Sequence, residues 1–295
     1  MKISKKLILI IIAAILNFLI ISCVFYLFFV RDDIVFAVKD AFAERSGEYS
    51  LELTGIDSDN IKNVLISDIK GEKNNIKYCN FLMLINEDYL LDNTFSPDLE
   101  NYKDTSLLID KNIALPLSDM FSKALEETED KILIMSTYRD FKHQMEVFKE
   151  DKKTAAVPGS SEHQSGLALD LYVNKHAGRK FISTKGGKWI YNNCCDYGFI
   201  IRYPFFKKSI TNIPFEPWHI RYVGFPHSEI IYNEKQTLEE YINGFQIDLF
   251  YKYKNYIISR QKPKDNMLSI PKNLKNVWIS SDNMGFYFIT GEIIS

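Results

Sequence analysis

Cysteine and histidine are both scarce in this chain. There are four of the first and five of the second among 295 residues. No C-x-x-C pair occurs, which excludes the common cysteine-built zinc sites. The cysteines are Cys23, Cys79 and the neighbours Cys194 and Cys195. A bridge from Cys79 to one of that pair is open to a protein outside the cell, and free buried thiols are equally open. A basic excess is also missing. Residues 1–30 hold Lys2, Lys5 and Lys6 and no acid, which leaves 33 basic against 38 acidic residues beyond them, a net of −5. That argues against a nucleic-acid partner, which needs a basic face. No repeat or low-complexity tract occurs.

One long apolar run is present. Leu7 through Val30 is apolar but for Asn17 and Ser22, and about 20 such residues cross a bilayer. Lysines precede the run and Arg31-Asp32-Asp33 ends it. This pattern predicts a single-pass anchor over residues 1–30, with the chain from about residue 31 outside the membrane. The rival reading is a cleaved signal. Ile20-Ile21-Ser22-Cys23 loosely resembles a lipoprotein cleavage site, which would make Cys23 a lipid anchor. The apolar run continues seven residues past Cys23, which a cleaved signal does not need. Both readings put the rest of the chain on the outer face of a membrane.

Residues 31–78 read as a stalk and small preface. Asp33 to Ala43 is a short helix, Tyr49 to Thr54 alternates as a strand does, and the polar stretch Gly55 to Lys77 is expected to be mobile. A larger domain follows over residues 79–244. Phe81 to Ile85 is a buried-strand candidate. Ala114 to Glu127 places Leu117, Met120, Phe121 and Leu125 at helical spacing. Lys131 to Met135 reads as a strand, Arg139 to Asp151 as a helix, Leu167 to Val173 as a strand, Lys188 to Tyr197 as a helix and Gly198 to Tyr203 as a strand. Thr237 and Glu240 are placed for a helix-starting capping box. Residues 245–295 read as a small β appendage that closes with a hairpin around Asp282-Asn283.

The chemistry concentrates in two stretches, Ser161-Glu162-His163-Gln164-Ser165-Gly166-Leu167-Ala168-Leu169-Asp170 and Phe215-Glu216-Pro217-Trp218-His219. Two imidazoles and a carboxylate are the ligand set of a catalytic zinc, which keeps one position open for water. His163, Asp170 and His219 are the candidate ligands. Glu216, three residues before the last ligand, is the candidate base for the bound water. His163 lies in a Gly/Ser/Pro-rich loop and Asp170 on the strand after it, so the two can converge on one ion. Pro217 keeps Glu216 out of a regular helix. Residues three apart on a strand face opposite sides, so a local twist is required at Pro217 for Glu216 and His219 to meet. A lone histidine is ordinarily a surface or satisfied core residue. That reading applies to His143 and His176, and His227 reads as structural.

The two stretches carry S-x-H-x-x-G-x-A-x-D and E-x-W-H. They resemble the signatures of zinc D-Ala-D-Ala carboxypeptidases of the VanY type, a superfamily shared with lysostaphin-like endopeptidases and the hedgehog amino-terminal domain. Ser136-Thr137-Tyr138-Arg139 with Gln144, Gly198 to Pro204, and Arg221 to Gly224 resemble the family too, in family order. The resemblance runs from about residue 80 to 243. It implies an α+β fold: a small antiparallel sheet flanked by helices, with one zinc ion in the cleft. It further implies that Arg139 binds substrate near the metal, with Gln144, Ser161 and Tyr203 as further substrate contacts. A guanidinium fork suits a free terminal carboxylate. The implied substrate is the peptidoglycan stem pentapeptide ending in D-Ala-D-Ala, with free D-alanine as product and a role in glycopeptide resistance. L,D-carboxypeptidases and stem endopeptidases use the same residue set. A non-catalytic wall-binding module is the alternative of a different class.

Overall fold

The computed structural model describes residues 4–29, 31–45, 49–71, 76–152 and 155–294. The ends of the expected anchor, and residues 72–75 of the polar stretch, lie outside the described residues. The chain forms two units, Met1–Glu44 and Arg45–Ser295. The first holds α1 (Lys5–Phe29) and α2 (Asp32–Phe42), the latter matching the short helix expected there. Within α1, Leu9–Tyr26 is the span among the described residues that is long and apolar enough to cross a membrane, and none of it is buried.

The second unit runs, in chain order, through β1 (Glu52–Thr54), β2 (Ile61–Leu65), α3 (Ile66–Lys70), β3 (Lys77–Cys79), β4 (Leu99–Asn101), β5 (Leu108–Asp110), α4 (Ala114–Thr128), β6 (Leu133–Ser136) and α5 (Phe141–Glu150). It continues through β7 (Ala168–Tyr172), α6 (Lys185–Asn193), β8 (Phe199–Tyr203), α7 (Lys208–Thr211), β9 (Glu216–Tyr222), α8 (His227–Asn233) and α9 (Leu238–Asn243). It ends with β10 (Phe250–Tyr253), β11 (Tyr256–Gln261), β12 (Met267–Pro271), β13 (Leu274–Ser281) and β14 (Tyr287–Ile293). The result is a mixed α+β fold.

The site is built on a four-stranded sheet in the order β6-β7-β9-β8, antiparallel throughout. The helices around it form as their sequences require. α4 buries Leu117, Met120 and Ala124 along one stripe. Asp140 caps α5 by accepting from the His143 N–H at 2.7 Å, and Thr184 caps α6 by accepting from the Gly187 N–H at 2.9 Å, each contribution being about 1 kcal/mol. Leu169 and Leu171 of β7 and Ile220 of β9 pack against the buried stripe of α4 and Ile190 of α6, where a fully buried Leu or Ile stabilises by roughly 2 kcal/mol. Strand alternation then turns Asp170, His219 and Arg221 to the opposite face. The hydrophobic core thereby decides which side of the sheet carries the polar groups.

Residues 31–78 and 245–295 depart from what the sequence led us to expect. β1 pairs with β10, β2 with β12, and β3 with β13 in parallel. The segment read as a stalk therefore supplies strands to the segment read as a separate appendage. Together they form a six-stranded sheet in the order β1-β10-β11-β14-β13-β3, and a two-stranded ribbon beside it. The sheet packs on the half built around the four-stranded sheet through α8 and α9. Ile230, Ile231, Leu238, Tyr241 and Ile242 fill the space between Ile200 of β8 and Ile258 and Phe288 of the six-stranded sheet. The β13–β14 hairpin forms around Asp282-Asn283 as expected.

Phe81 to Ile85 is buried but is not a strand. Its backbone groups find side-chain and loop partners instead of a ladder. The Leu82 N–H donates to Ser280 Oγ (2.9 Å), and the carbonyls of Phe81 and Met83 accept from Arg221 Nη2 (3.2 and 3.0 Å). The cysteines are free thiols. Burial pushes the Cys79 thiol up to about 12, so it stays protonated and unreactive.

Candidate metal centre

His163 sits in a tight turn, Glu162–Ser165, that closes on Gly166. Gly166 has φ +72°, and a Cβ there would lie 2.7 Å from Leu99 Cδ2 and 3.1 Å from the Asp110 nitrogen. Only glycine fits, and it delivers the chain into β7. The turn carries His163 over the polar face of the sheet. Its Nδ1 lies 2.7 Å from the Thr137 carbonyl oxygen. A carbonyl only accepts, so Nδ1 carries the hydrogen and Nε2 keeps a free lone pair. That lone pair faces Asp170, with Nε2 to Oδ2 at 3.3 Å.

Asp170 and His219 are cross-strand partners on β7 and β9. Asp170 Oδ1 lies 2.9 Å from His219 Nδ1. The ligand atoms of His163, Asp170 and His219 all fall within 4.8 Å of one another. Two imidazoles and one carboxylate, mostly buried, match the donor set of a three-ligand zinc site with an open position. The residues therefore fit the ion. Burial alone would raise the Asp170 carboxyl, but the close approach of the His163 and His219 imidazoles outweighs it and holds the group far below the usual carboxylate range. Burial pulls the His219 imidazole down, and the Asp170 and Glu162 carboxylates more than reverse this, raising it to about 10.

Glu216 begins β9, where the pairing with β8 is irregular. Ile201 of β8 stands opposite Ile220, but Tyr203 stands opposite Glu216. Between these pairs β9 carries two residues more than β8, so the ladder is irregular across Pro217 and Trp218. Burial raises the Glu216 carboxyl; the His219 charge opposes this and the Asp170 charge adds to it. Tyr203 is buried, with its ring 5.0 Å from that of His219.

Arg139 lies between β6 and α5, half-buried. Its Nη1 donates to Gln144 Oε1 at 2.7 Å and its Nη2 to Ser136 Oγ at 3.2 Å, while its backbone N–H reaches the His163 carbonyl at 3.2 Å. Burial lowers the guanidinium's proton affinity, and Asp170 counters it. Gln144 is fully buried and its Nε2 donates to the Ala156 carbonyl at 2.6 Å. Both ends of its amide are thus engaged. Gln144 holds Arg139 from behind rather than presenting itself to a ligand. Ser161 is buried at the start of the His163 turn.

One residue of the centre was not singled out from the sequence. Glu162 is fully buried. Its Oε1 accepts from Arg202 Nε at 2.7 Å and from Arg221 Nη1 at 2.8 Å, and its Oε2 lies 3.5 Å from His219 Nε2. As the variable residue of S-x-H it gave no signal beyond its charge. His227, by contrast, is structural as expected, fully buried between Tyr241 and Thr290.

Comparison with known proteins bears on this arrangement. The family model described as VanY, D-alanyl-D-alanine carboxypeptidase, matches residues 106–225, a span that contains Arg139, His163, Asp170, Glu216 and His219. A D-alanyl-D-alanine carboxypeptidase of Enterococcus faecium is 36% identical over 201 residues, covering 63% of this chain and 62% of that protein, so the match spans less than two thirds of its length. The bifunctional D-Ala-D-Ala dipeptidase and D-Ala-D-Ala carboxypeptidase VanXYC of Enterococcus gallinarum is 34% identical over 181 residues, covering 55% of this chain and 93% of that protein. The crystal structure of the vancomycin-resistance D,D-dipeptidase VanXYg with a D-Ala-D-Ala phosphinate analogue is similar at TM-score 0.65 and 28% identity, covering 79% of this chain and 98% of that one.

Proposed function

The chain belongs to the VanY family of D-alanyl-D-alanine carboxypeptidases, and on that premise we propose that it is a membrane-anchored zinc carboxypeptidase that removes the terminal D-alanine from peptidoglycan stem pentapeptides. The observation that carries the proposal is the convergence of His163, Asp170 and His219 within 4.8 Å, with Glu216 close enough to feel the charges of His219 and Asp170. Zinc bound by these three residues supplies Lewis-acid polarisation of the scissile carbonyl and a water acidic enough to attack near neutral pH. Glu216, with its raised proton affinity, takes the proton of the attacking water and delivers it to the leaving amine as the C–N bond breaks. Arg139, oriented by Gln144 and Ser136, grips the free carboxylate of the terminal residue with two hydrogen bonds. Tyr203 walls the cleft beside His219, and Ser161 is a further contact.

The apolar helix over Leu9–Tyr26, preceded by Lys2, Lys5 and Lys6, supports an anchor with the enzyme on the outer face, where stem peptides are found. Removing terminal D-alanine destroys the target of glycopeptide antibiotics, so the proposal includes an accessory role in resistance. The test uses the full chain in detergent with a cell-wall pentapeptide, read by mass spectrometry, beside chelated protein and Glu216→Ala. Loss of one alanine by the untreated wild type alone is the expected result. Cleavage of the tetrapeptide and not the pentapeptide would replace this activity with an L,D-carboxypeptidase. Absence of cleavage together with absence of bound metal would leave a wall-binding module.

A further inference from the structure

Behind the candidate metal centre lies a buried chain of charges that the proposed reaction does not use. Arg202 and Arg221 are both fully buried. Arg202 gives its Nη1 and Nη2 to Glu239 of α9 at 2.9 and 2.6 Å and its Nε to Glu162. Arg221 gives Nη1 to Glu162 and Nη2 to two backbone carbonyls. Glu162 thus meets both guanidiniums through a single oxygen, Oε1. Its other oxygen, Oε2, has no hydrogen-bond partner among the described residues, and neither has His219 Nε2. These two unsatisfied atoms face each other at 3.5 Å.

We propose that Glu162 is the positioning residue for His219, holding the ring by its Nε2 edge so that Nδ1 is presented with Asp170 and His163 to the metal. The proposal rests on the metallopeptidase reading above. A carboxylate that served only to neutralise two arginines would share both oxygens between them. Here one oxygen is kept for the imidazole. With Nδ1 engaged as a ligand, the ring's one hydrogen is on Nε2, which faces Oε2. A carboxylate behind a ligating imidazole fixes its orientation and raises its basicity, and losing such a partner lowers metal affinity about 10- to 100-fold. Arg202 and Arg221 keep Glu162 from turning, and Glu239 in turn fixes Arg202. One dipeptide, Glu162-His163, therefore supplies one ligand and orients another.

The test measures zinc affinity by chelator competition on the full chain in detergent, with the visible spectrum of the cobalt(II)-loaded protein as a second readout. Glu162→Gln removes the charge and can compromise folding. Glu162→Asp keeps the charge for both arginines but draws the carboxylate back by one methylene, so it remains informative. Glu239→Gln perturbs the same buried network without touching the Glu162–His219 contact. The expected result is a loss of about 10- to 100-fold in zinc affinity for the folded Glu162 variants, a changed cobalt spectrum, and affinity within about twofold of wild type for Glu239→Gln even if its melting temperature falls. Wild-type affinity in folded Glu162→Asp, or an equal loss in Glu239→Gln, overturns the role of Glu162 alone. A wild-type chain that binds no zinc removes the metallopeptidase reading and this inference with it.

Discussion

His227 offers a test of how the two halves of the second unit are joined. It opens α8, is fully buried, and lies 2.6 Å from Tyr241 Oη on α9 and 2.9 Å from Thr290 Oγ1 on β14. Burial lowers its pKa from 6.5 to about 3. The unfolded chain therefore takes up a proton near pH 6.5 that the folded protein refuses until about pH 3. Stability contributed by the neutral ring is complete above pH 6.5 and is lost as pH falls. At ~1.4 kcal/mol per pH unit, the loss between about pH 8 and pH 5 is about 2 kcal/mol, and it reaches on the order of 5 kcal/mol near pH 3. His227→Gln keeps a donor and an acceptor but cannot titrate. The assay is urea unfolding of the full chain in detergent at several pH values, followed by tryptophan fluorescence. Trp278 is a built-in reporter, its ring 4.9 Å from that of His227. Wild type should lose about 2 kcal/mol more than His227→Gln between pH 8 and pH 5. Parallel curves for the two proteins would refute the reasoning and mean that His227 is solvated or paired in solution.

Arg139→Lys replaces a fork by a point charge and loses the bond pattern to Gln144 and Ser136; we expect kcat/KM on pentapeptide to fall roughly 10- to 100-fold, with little loss on an analogue whose terminal carboxylate is amidated. The Glu216 carboxyl is raised by burial and must be ionised to act as base, so the acid limb of the kcat/KM profile should fall at a higher pH than an ordinary glutamate gives, measured with zinc saturating. Gly166→Ala places a Cβ 2.7 Å from Leu99 Cδ2 at φ +72°; a loss of about 1–3 kcal/mol in thermal or urea unfolding is expected, with reduced zinc binding because the His163 turn shifts.

The catalytic half was largely legible in the sequence because its signals are local. α4, α5, β7, β8 and β9 announce themselves by period, cap and apolar run, and the candidate ligand triad sits in two short motifs. The six-stranded sheet was not legible. β1 and β3 are three residues each, set in polar sequence, and their partners lie about two hundred residues away; nothing local distinguishes such strands from a linker. Phe81 to Ile85 reads as a strand from its apolar run, yet its backbone is satisfied by Arg221, Ser280 and Asn283. Glu162 escaped for the same reason. Its arginines are 40 and 59 residues along the chain, so its burial could not be read from its neighbours.

The distribution of charge around the site separates structural from functional groups more sharply than the motifs do. On the same face of the sheet, beside the candidate ligands, Glu162 and Glu239 balance Arg202 and Arg221, and all four are buried; this set is electrically complete. At the centre, Asp170 and Glu216 stand near imidazoles, and among the described residues no guanidinium is paired to either. Two half-buried carboxylates that feel each other's charge are costly unless a cation joins them, and in the proposed enzyme a divalent ion does so. Arg139 is then the cation left over. It makes no ion pair among the described residues and is held by two neutral side chains, Gln144 and Ser136, so its charge is oriented but not neutralised. In the proposed enzyme a substrate bearing one free carboxylate would complete the balance. A substrate extended beyond that carboxylate leaves Arg139 uncompensated in a half-buried place. On the proposed function, selection of a chain terminus over an internal bond would follow from the charge of Arg139 as much as from its fork.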